Sequence, residues 1–267
     1  MRQLVAESEP DENGCLCIEG KKFHYLNSVL RLACGDIISV RLPGGALVQM
    51  SVADADEGAR KMTLQSLPAQ SAFQENPAAQ KRSAELFLFQ FIARPPKMDL
   101  IVRQAAECGV AKIIPVEGTF CQKGSIESAR KKAADKDDRW QRIITEARQQ
   151  SGSPVETRLL PPVSVEQACA LWQEESGGQK NSAAVVLYER EAGTKTVYEA
   201  VKNADVIKSE TARIAVAVGA EGGISAEEIS VMKKSGFIPV HLATNILRCE
   251  TASLYGIAAL QTVFSGE

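Results

Sequence analysis

Between residues 36 and 67 apolar and polar positions alternate in three short runs, DIISVRL, ALVQMSV and RKMTLQSL, the first two joined by the turn formers Pro43, Gly44 and Gly45. Val48, Met50 and Val52 share one face of the second run, and Met62 and Leu64 one face of the third, the period-two signature of half-buried antiparallel strands. Ahead of them KKFHYLNSVLRL sets Leu26, Val29 and Leu30 at helical spacing. A small β-rich domain ending near residue 70 is predicted. After a proline-bearing polar stretch of linker composition, residues 67–83, the pattern changes to alternating strand and helix. AELFLFQFIA reads as an apolar strand, and Met98, Ile101, Val102 and Ala105 form one helical face running to Gly109. There follow the strand KIIPV, a basic helix, TRLL, a short helix from Ser164, AAVVLYE, a helix near 195–203, RIAVAVG, a helix from Ser225, FIPVHL and a last helix from about Glu250 to Phe264. Near-continuous apolar strands alternating with helices predict an α/β domain with a parallel sheet covered on both faces. In such sheets ligands bind beyond the carboxyl ends of the strands.

The chain has 267 residues, 45% of them hydrophobic, enough for a substantial core. No basic, then apolar, leader opens it and no run of about 18 apolar residues interrupts it, so a cytoplasmic protein without a membrane partner is expected. The seven cysteines, at 15, 17, 34, 108, 121, 169 and 249, lack paired CxxC spacing; reduced, mostly buried thiols and no metal are expected. A net charge of −2 and a pI near 5.9 give no bulk attraction for nucleic acid. One stretch departs from this: between Lys123 and Arg148 lie eight bases and five acids, either the solvated face of a long helix or a local RNA contact.

AVAVGAEGGISAEEI, residues 215–229, places a Gly-x-Glu-Gly-Gly turn between an apolar strand and a helix start. It lacks the Gly-Lys-Ser/Thr of a phosphate loop, and its glycines, at 219, 222 and 223, do not fit GxGxxG. The acid at 221 argues against phosphate. Glycines permit positive φ and close approach of a ligand, and Ser225 with Glu228 has capping-box spacing. Taken alone, the turn is equally well a capped strand-to-helix connection. A second signal lies in HLATNILRCETASLYG, where a strand ends near Leu242 and Ala243 to Cys249 form a loop carrying Ile246, Leu247 and Arg248. Apolar loop residues beside a glycine turn point to a pocket for a flat, uncharged ring.

The two motifs together resemble the last third of the SPOUT class of RNA methyltransferases, within it the family that methylates N3 of a uridine in small-subunit ribosomal RNA. That family typically shows Gly-Pro-Glu-Gly-Gly and then Leu-Gly-x-Arg-Ile-Leu-Arg-x-Glu-Thr-Ala; here the second reads Leu242-Ala-Thr-Asn-Ile-Leu-Arg-Cys-Glu-Thr-Ala252. HYLNSVLRLACGDII (24–38), KMDLIVRQAAECGVAKIIPV (97–116) and RWQRIITEARQQSG (139–152) extend the similarity over nearly the whole chain. The resemblance implies an α/β fold of two domains: a PUA-like RNA-binding β-barrel domain over 1–72, and a parallel-sheet SPOUT methyltransferase domain with a C-terminal trefoil knot over 73–267. It implies S-adenosylmethionine as cofactor, whose positive sulfonium tolerates a nearby acid, a homodimer, and ribosomal RNA within the assembled small subunit as partner. Ala220 stands where the family has proline, Ala243 and Asn245 where it has glycine and arginine, and Ser153-Pro154 follows Gly152 where an arginine is usual.

Carried onto these positions, the cofactor site comprises Leu187, Gly219, Glu221, Gly222, Gly223, Leu242, Ala243, Asn245, Ile246 and Leu247. Arg248 is the candidate for orienting uracil or stabilising its charge, since a guanidinium offers fixed donors to carbonyl oxygens; the alternative is a salt bridge to Glu250 or Glu221. Glu221 is either a general base or the holder of the loop. His241, at the end of an apolar strand, is a satisfied core histidine more readily than a catalyst. RNA contacts are assigned to Lys21, Lys22, His24 and Arg31 in the first domain and to Lys123, Arg130, Lys131, Arg139 and Arg142 in the second, acting on phosphate without reading sequence. The competing readings are a catalytically inactive PUA/SPOUT RNA binder and, from fold analogy alone, a nucleotide-using enzyme on an ordinary doubly wound sheet.

Overall fold

The computed structural model describes residues 3–68, 84–134, 139–177, 181–188, 194–202 and 212–265; most of the expected linker lies outside these. The chain divides into two compact units, one of 1–80 with 148–154, the other of 81–147 with 155–267.

The first unit holds a five-stranded sheet of β1 (Gln3–Val5), β2 (Cys15–Glu19), β3 (Ile37–Arg41), β4 (Leu47–Asp56) and β5 (Lys61–Ser66), in the order β1-β3-β4-β5-β2. β1 runs parallel to β3 and the other pairings are antiparallel. The three runs read from alternation are β3, β4 and β5. β1 and β2 had no place in that reading: β1 spans only three residues, and in β2 the outward positions are Cys15 and Cys17, which disguise the alternation of buried Leu16 and Ile18. The helical stretch is present as α1 (Gly20–His24) and a π-helical turn, Tyr25–Val29, in which Leu30 N–H reaches the Tyr25 carbonyl. Its buried face is Phe23 and Leu26; Val29, expected inside, is 58% exposed because the wider turn rotates it outward. Residues 148–154 join this unit through Gln3, whose amide donates to the carbonyls of Arg148 (3.0 Å) and Ser153 (3.3 Å).

In the second unit β6 (Ala84–Phe91), α2 (Pro95–Glu107), β7 (Lys112–Glu117), α3 (Lys123–Ala134), α4 (Arg139–Ser151), β8 (Arg158–Leu159), β9 (Val163–Ser164), α5 (Val165–Glu175), β10 (Ser182–Leu187), β11 (Lys195–Thr196), α6 (Val197–Val201), β12 (Ala212–Val218), α7 (Ala226–Lys234), β13 (Phe237–His241) and α8 (Cys249–Ser265) follow in that order. The strands form one parallel sheet ordered β11-β13-β10-β12-β6-β7-β8, with β9 also on β7. Alternate residues of β6 face opposite ways: Phe87 and Phe89 meet Trp172 of α5 edge-on, whereas Gln90 hydrogen-bonds Ser253 of α8. Helices therefore cover both faces, as the apolar runs predict. The basic stretch is two helices, α3 and α4. The box at Ser225 and Glu228 forms as read, with Ser225 Oγ accepting Glu228 N–H and Glu228 Oε2 accepting Ser225 N–H. The seven cysteines are free thiols, but only Cys121, Cys169 and Cys249 are buried, so the expectation of mostly buried thiols is corrected; Cys17 points outward from its strand and Cys34 lies in an exposed turn.

Candidate functional site

The glycine turn leaves the carboxyl end of β12, and its glycines answer to the turn itself. A Cβ on Gly219 would lie 2.9 Å from the Gly223 backbone, and Gly223 has φ of +80°. A Cβ on Gly222 would come within 2.7 Å of the Cβ of Phe120, so Gly222 faces the loop after β7. Gly223 N–H closes on the Ala220 carbonyl at 2.9 Å. Beneath the turn sits Gln90, wholly buried, whose amide nitrogen reaches the carbonyls of Phe91 (2.9 Å), Val218 (3.3 Å) and Gly219 (3.4 Å) while its oxygen accepts from Ser253 at 2.5 Å. This one amide ties the ends of β6 and β12 to α8.

A cavity of about 610 Å³ opens against the turn, beyond the carboxyl ends of β10 and β12. Leu187, Tyr188, Val218, Gly219, Ala220, Glu221, Gly223 and Ile224 form one side; Ile246, Leu247, Arg248, Cys249 and Ala252 form the other, with Lys97 at the edge. A smaller cavity is lined by Leu187, Val240, Leu242, Thr244, Asn245, Ile246, Leu247 and Ala252. Ile246 is 83% exposed, an apolar wall without protein cover.

Lys97, in the first turn of α2, brings Glu221 (3.6 Å) and Glu250 (3.1 Å) together, and Glu221 also accepts the Arg94 N–H at 3.2 Å. The hydrogen bond to Glu250 raises the Lys97 ammonium above its usual range. Burial pushes the Glu250 carboxyl up, but its own backbone N–H, Lys97 and Cys249 outweigh that and leave it lowered. Burial, with Glu250 beside it, pushes the Cys249 thiol up to about 12.

Of the ten expected cofactor residues, Leu187, Gly219, Glu221, Gly223, Ile246 and Leu247 line the larger cavity, and Leu242 and Asn245 join three of these in the smaller one. Gly222, turned to Phe120, and Ala243 line neither. Arg248 is exposed on the cavity's rim and, among the described residues, makes no ion pair; the carboxylates offered as its alternative partners are held by Lys97. His241 is half-buried and bonded to Thr194 Oγ1 at 2.9 Å, away from the cavity lining, and exposed His24 bonds Ser28 at 3.0 Å. Lys22 is tied to Glu7 (2.7 Å) and the Val5 carbonyl (2.9 Å); Lys21 and Arg31 are exposed, Arg31 with φ of +56°. Arg130 pairs with Glu117 and Arg139 with Asp99, whereas Lys123, Lys131 and Arg142 are exposed and make no ion pair among the described residues. Lys97 and Gln90 belong to neither motif of the sequence, yet both support the turn. A lone polar residue in an eight-residue apolar strand was the available signal for Gln90.

The model of the RNA methyltransferase domain matches residues 80–261, which contain every residue of both cavities. The chain belongs to this family. Among its relatives, a protein of Buchnera aphidicola named ribosomal RNA small subunit methyltransferase E is 26% identical over 263 residues, 98% of this chain and 93% of the relative. Another of that name, from Aquifex aeolicus, is 32% identical over 171 residues, 63% of this chain and 64% of its own. A crystal structure of a ribosomal RNA small subunit methyltransferase E from Neisseria gonorrhoeae, bound to S-adenosyl methionine, superposes with a TM-score of 0.76 at 23% identity, covering 98% of each chain. The likeness extends the shared fold over both units.

Proposed function

We propose that this protein is a ribosomal RNA methyltransferase of the small subunit that takes its methyl group from S-adenosylmethionine and acts at N3 of a uridine. The observation that carries the reading is the cavity at the carboxyl ends of β10 and β12, bordered by the glycine turn and by the loop bearing Ile246 and Leu247. The residues fit the cofactor: flat apolar walls suit an adenine ring, and no lysine stands in the turn to bind a phosphate. The cofactor supplies a methyl group on a positive sulfonium, next to which Glu221 is electrostatically favourable. Cys249, kept as a thiol, is a poor nucleophile and does not compete with RNA for the methyl group. Uridine N3 gives up its proton to solvent water, and Arg248, exposed and free of ion pairs among the described residues, donates to a uracil carbonyl as negative charge builds there. Glu221, occupied by Lys97 and the Arg94 N–H, holds the turn rather than acting as base.

We read the parallel-sheet unit as the body of a SPOUT domain with a C-terminal trefoil knot, expected over 73–267, and the five-stranded unit as the body of a PUA-like barrel, expected over 1–72, that grips RNA through Lys21 and Arg31. In the cytoplasm the enzyme works as a homodimer on the assembled small subunit, with Lys123, Lys131 and Arg142 on phosphate. The test is transfer of labelled methyl groups to small subunits from a strain deleted for the gene, with mapping of the modified base. Arg248→Ala should lower kcat by about a hundredfold while calorimetry finds cofactor affinity within about threefold of wild type. Cofactor binding without any transfer to small subunits would sink the enzymatic reading in favour of an inactive RNA binder.

A further inference from the structure

Phe120 is 45% exposed, yet the backbone on either side of it is pinned. Before it, Thr119 N–H and Oγ1 both donate to Glu228 Oε1, at 2.6 and 3.1 Å. After it, Cys121 is buried and its N–H donates to the Gly118 carbonyl at 3.0 Å. Gly118 leaves no room for adjustment, since a Cβ there would come within 2.3 Å of the Phe91 ring. The root of the ring presses on Gly222 of the turn that borders the cavity. A loop this constrained can bury a phenylalanine; here it presents one. The neighbours are polar and cationic. Lys123 is exposed three residues on, and the exposed Arg94, whose N–H holds Glu221, donates at 2.9 and 3.2 Å to the Gln122 side-chain oxygen once that amide is oriented to accept.

A single rigid aromatic ring set among cations is the composition of surfaces that hold single-stranded nucleic acid: the ring stacks on a base of any identity and the cations contact the backbone. A protein interface would surround the ring with further apolar side chains, whereas Thr119, Gln122 and Lys123 are exposed polar residues. We propose that Phe120 is a stacking platform for a nucleobase of the substrate RNA strand, with Arg94 and Lys123 on its flanking phosphates. The ring touches the glycine turn at Gly222, while the neighbouring Gly219, Ala220, Glu221 and Gly223 line the cavity, so a base stacked there holds the strand close to the methyl donor. The inference rests on the function proposed above and adds a positioning residue to it.

The experiment compares Phe120→Ala and Phe120→Trp with wild type on unmethylated small subunits, following kcat and KM for the subunit, S-adenosylmethionine affinity by calorimetry, and mass by light scattering. Phe120→Ala should lower kcat/KM for the subunit about tenfold or more, and Phe120→Trp should restore most of it, as stacking requires. Cofactor affinity and mass should stay at the wild-type values. Unchanged kcat/KM in Phe120→Ala overturns the proposal. So does a loss matched by weaker cofactor binding, which would make the ring a prop for the turn, or a changed mass, which would seat a second copy on it. Wild-type protein that binds cofactor but methylates no subunit removes the underlying function, and the platform with it.

Discussion

The parallel sheet carries a cavity at each end, of nearly equal size: about 610 Å³ at the carboxyl ends of β10 and β12 and about 640 Å³ at the amino ends of β6, β7 and β12. They differ in what their side chains have left to offer. At the amino end Lys112 pairs with Glu175, Arg213 with Glu85 and Arg158 with Glu156, and Arg213 also donates to the Glu175 carbonyl. Its charges answer one another. At the carboxyl end Ile246 stands uncovered, and Arg248 makes no ion pair among the described residues. Volume therefore does not separate a site from a crevice; unsatisfied chemistry does.

The sharpest way to break this contrast is at Gly219. Valine there would place side-chain carbons where the Gly223 backbone lies 2.9 Å from the first of them, forcing the turn open. Cofactor affinity should fall by about a hundredfold or more, as expected when a preformed site loses its geometry, while thermal melting still reports a cooperative fold. Binding retained in folded Gly219→Val would move the site away from the turn.

A smaller effect is expected from Lys97→Met, which leaves Glu221 and Glu250 facing each other without a cation. The loss should be about 1 kcal/mol of stability, the partial exposure of all three groups keeping it near the value for surface pairs. Its pH dependence has a definite sign. Lys97 is raised, so its contribution is full below the ordinary lysine range and lost as pH rises through the raised value; Glu250 is lowered, so its contribution is full above the ordinary carboxylate range and lost as pH falls through the lowered value. Between those limits the difference in melting temperature between wild type and variant should be flat, and it should shrink on acidification. A difference that grew towards acid would reverse the assignment.

The smallest effect should come from the amino end. Replacing Lys112 and Glu175 together by Met and Leu removes a half-buried pair, and stability should change by about 1 kcal/mol or less in either direction. Methyl transfer should remain at the wild-type rate. A large loss of transfer in that double variant would give the second cavity a function and remove the contrast.

Much of this arrangement was legible in the chain. Apolar runs placed β6, β7, β10, β12 and β13, and Ser225 with Glu228 announced the start of α7, because those signals are local: a strand's hydrophobicity and a cap's spacing belong to a few consecutive residues. The cavity's two main walls were read from AEGG and from the loop after Leu242. What escaped depends on distance in sequence. Lys97 meets Glu221 and Glu250 across more than a hundred residues, and Gln90 meets Ser253 across 163. Gly222 misled for the same reason: glycine permits a close approach, but only the fold shows that Phe120 is what approaches.

The position of β12 has a consequence for synthesis. It pairs with β6 on one side and β10 on the other, with Val218 opposite Gln90, 128 residues apart. A nascent chain that has not yet reached Ala212 has no strand for that slot, and β6, among the most apolar segments of the protein, keeps an open hydrogen-bonding edge. Such an edge recruits other chains, and pairing at this separation is slow to form. Products that stop short of β12 are therefore the species expected to aggregate, and the walls of the larger cavity are complete only once the chain has passed Ala252.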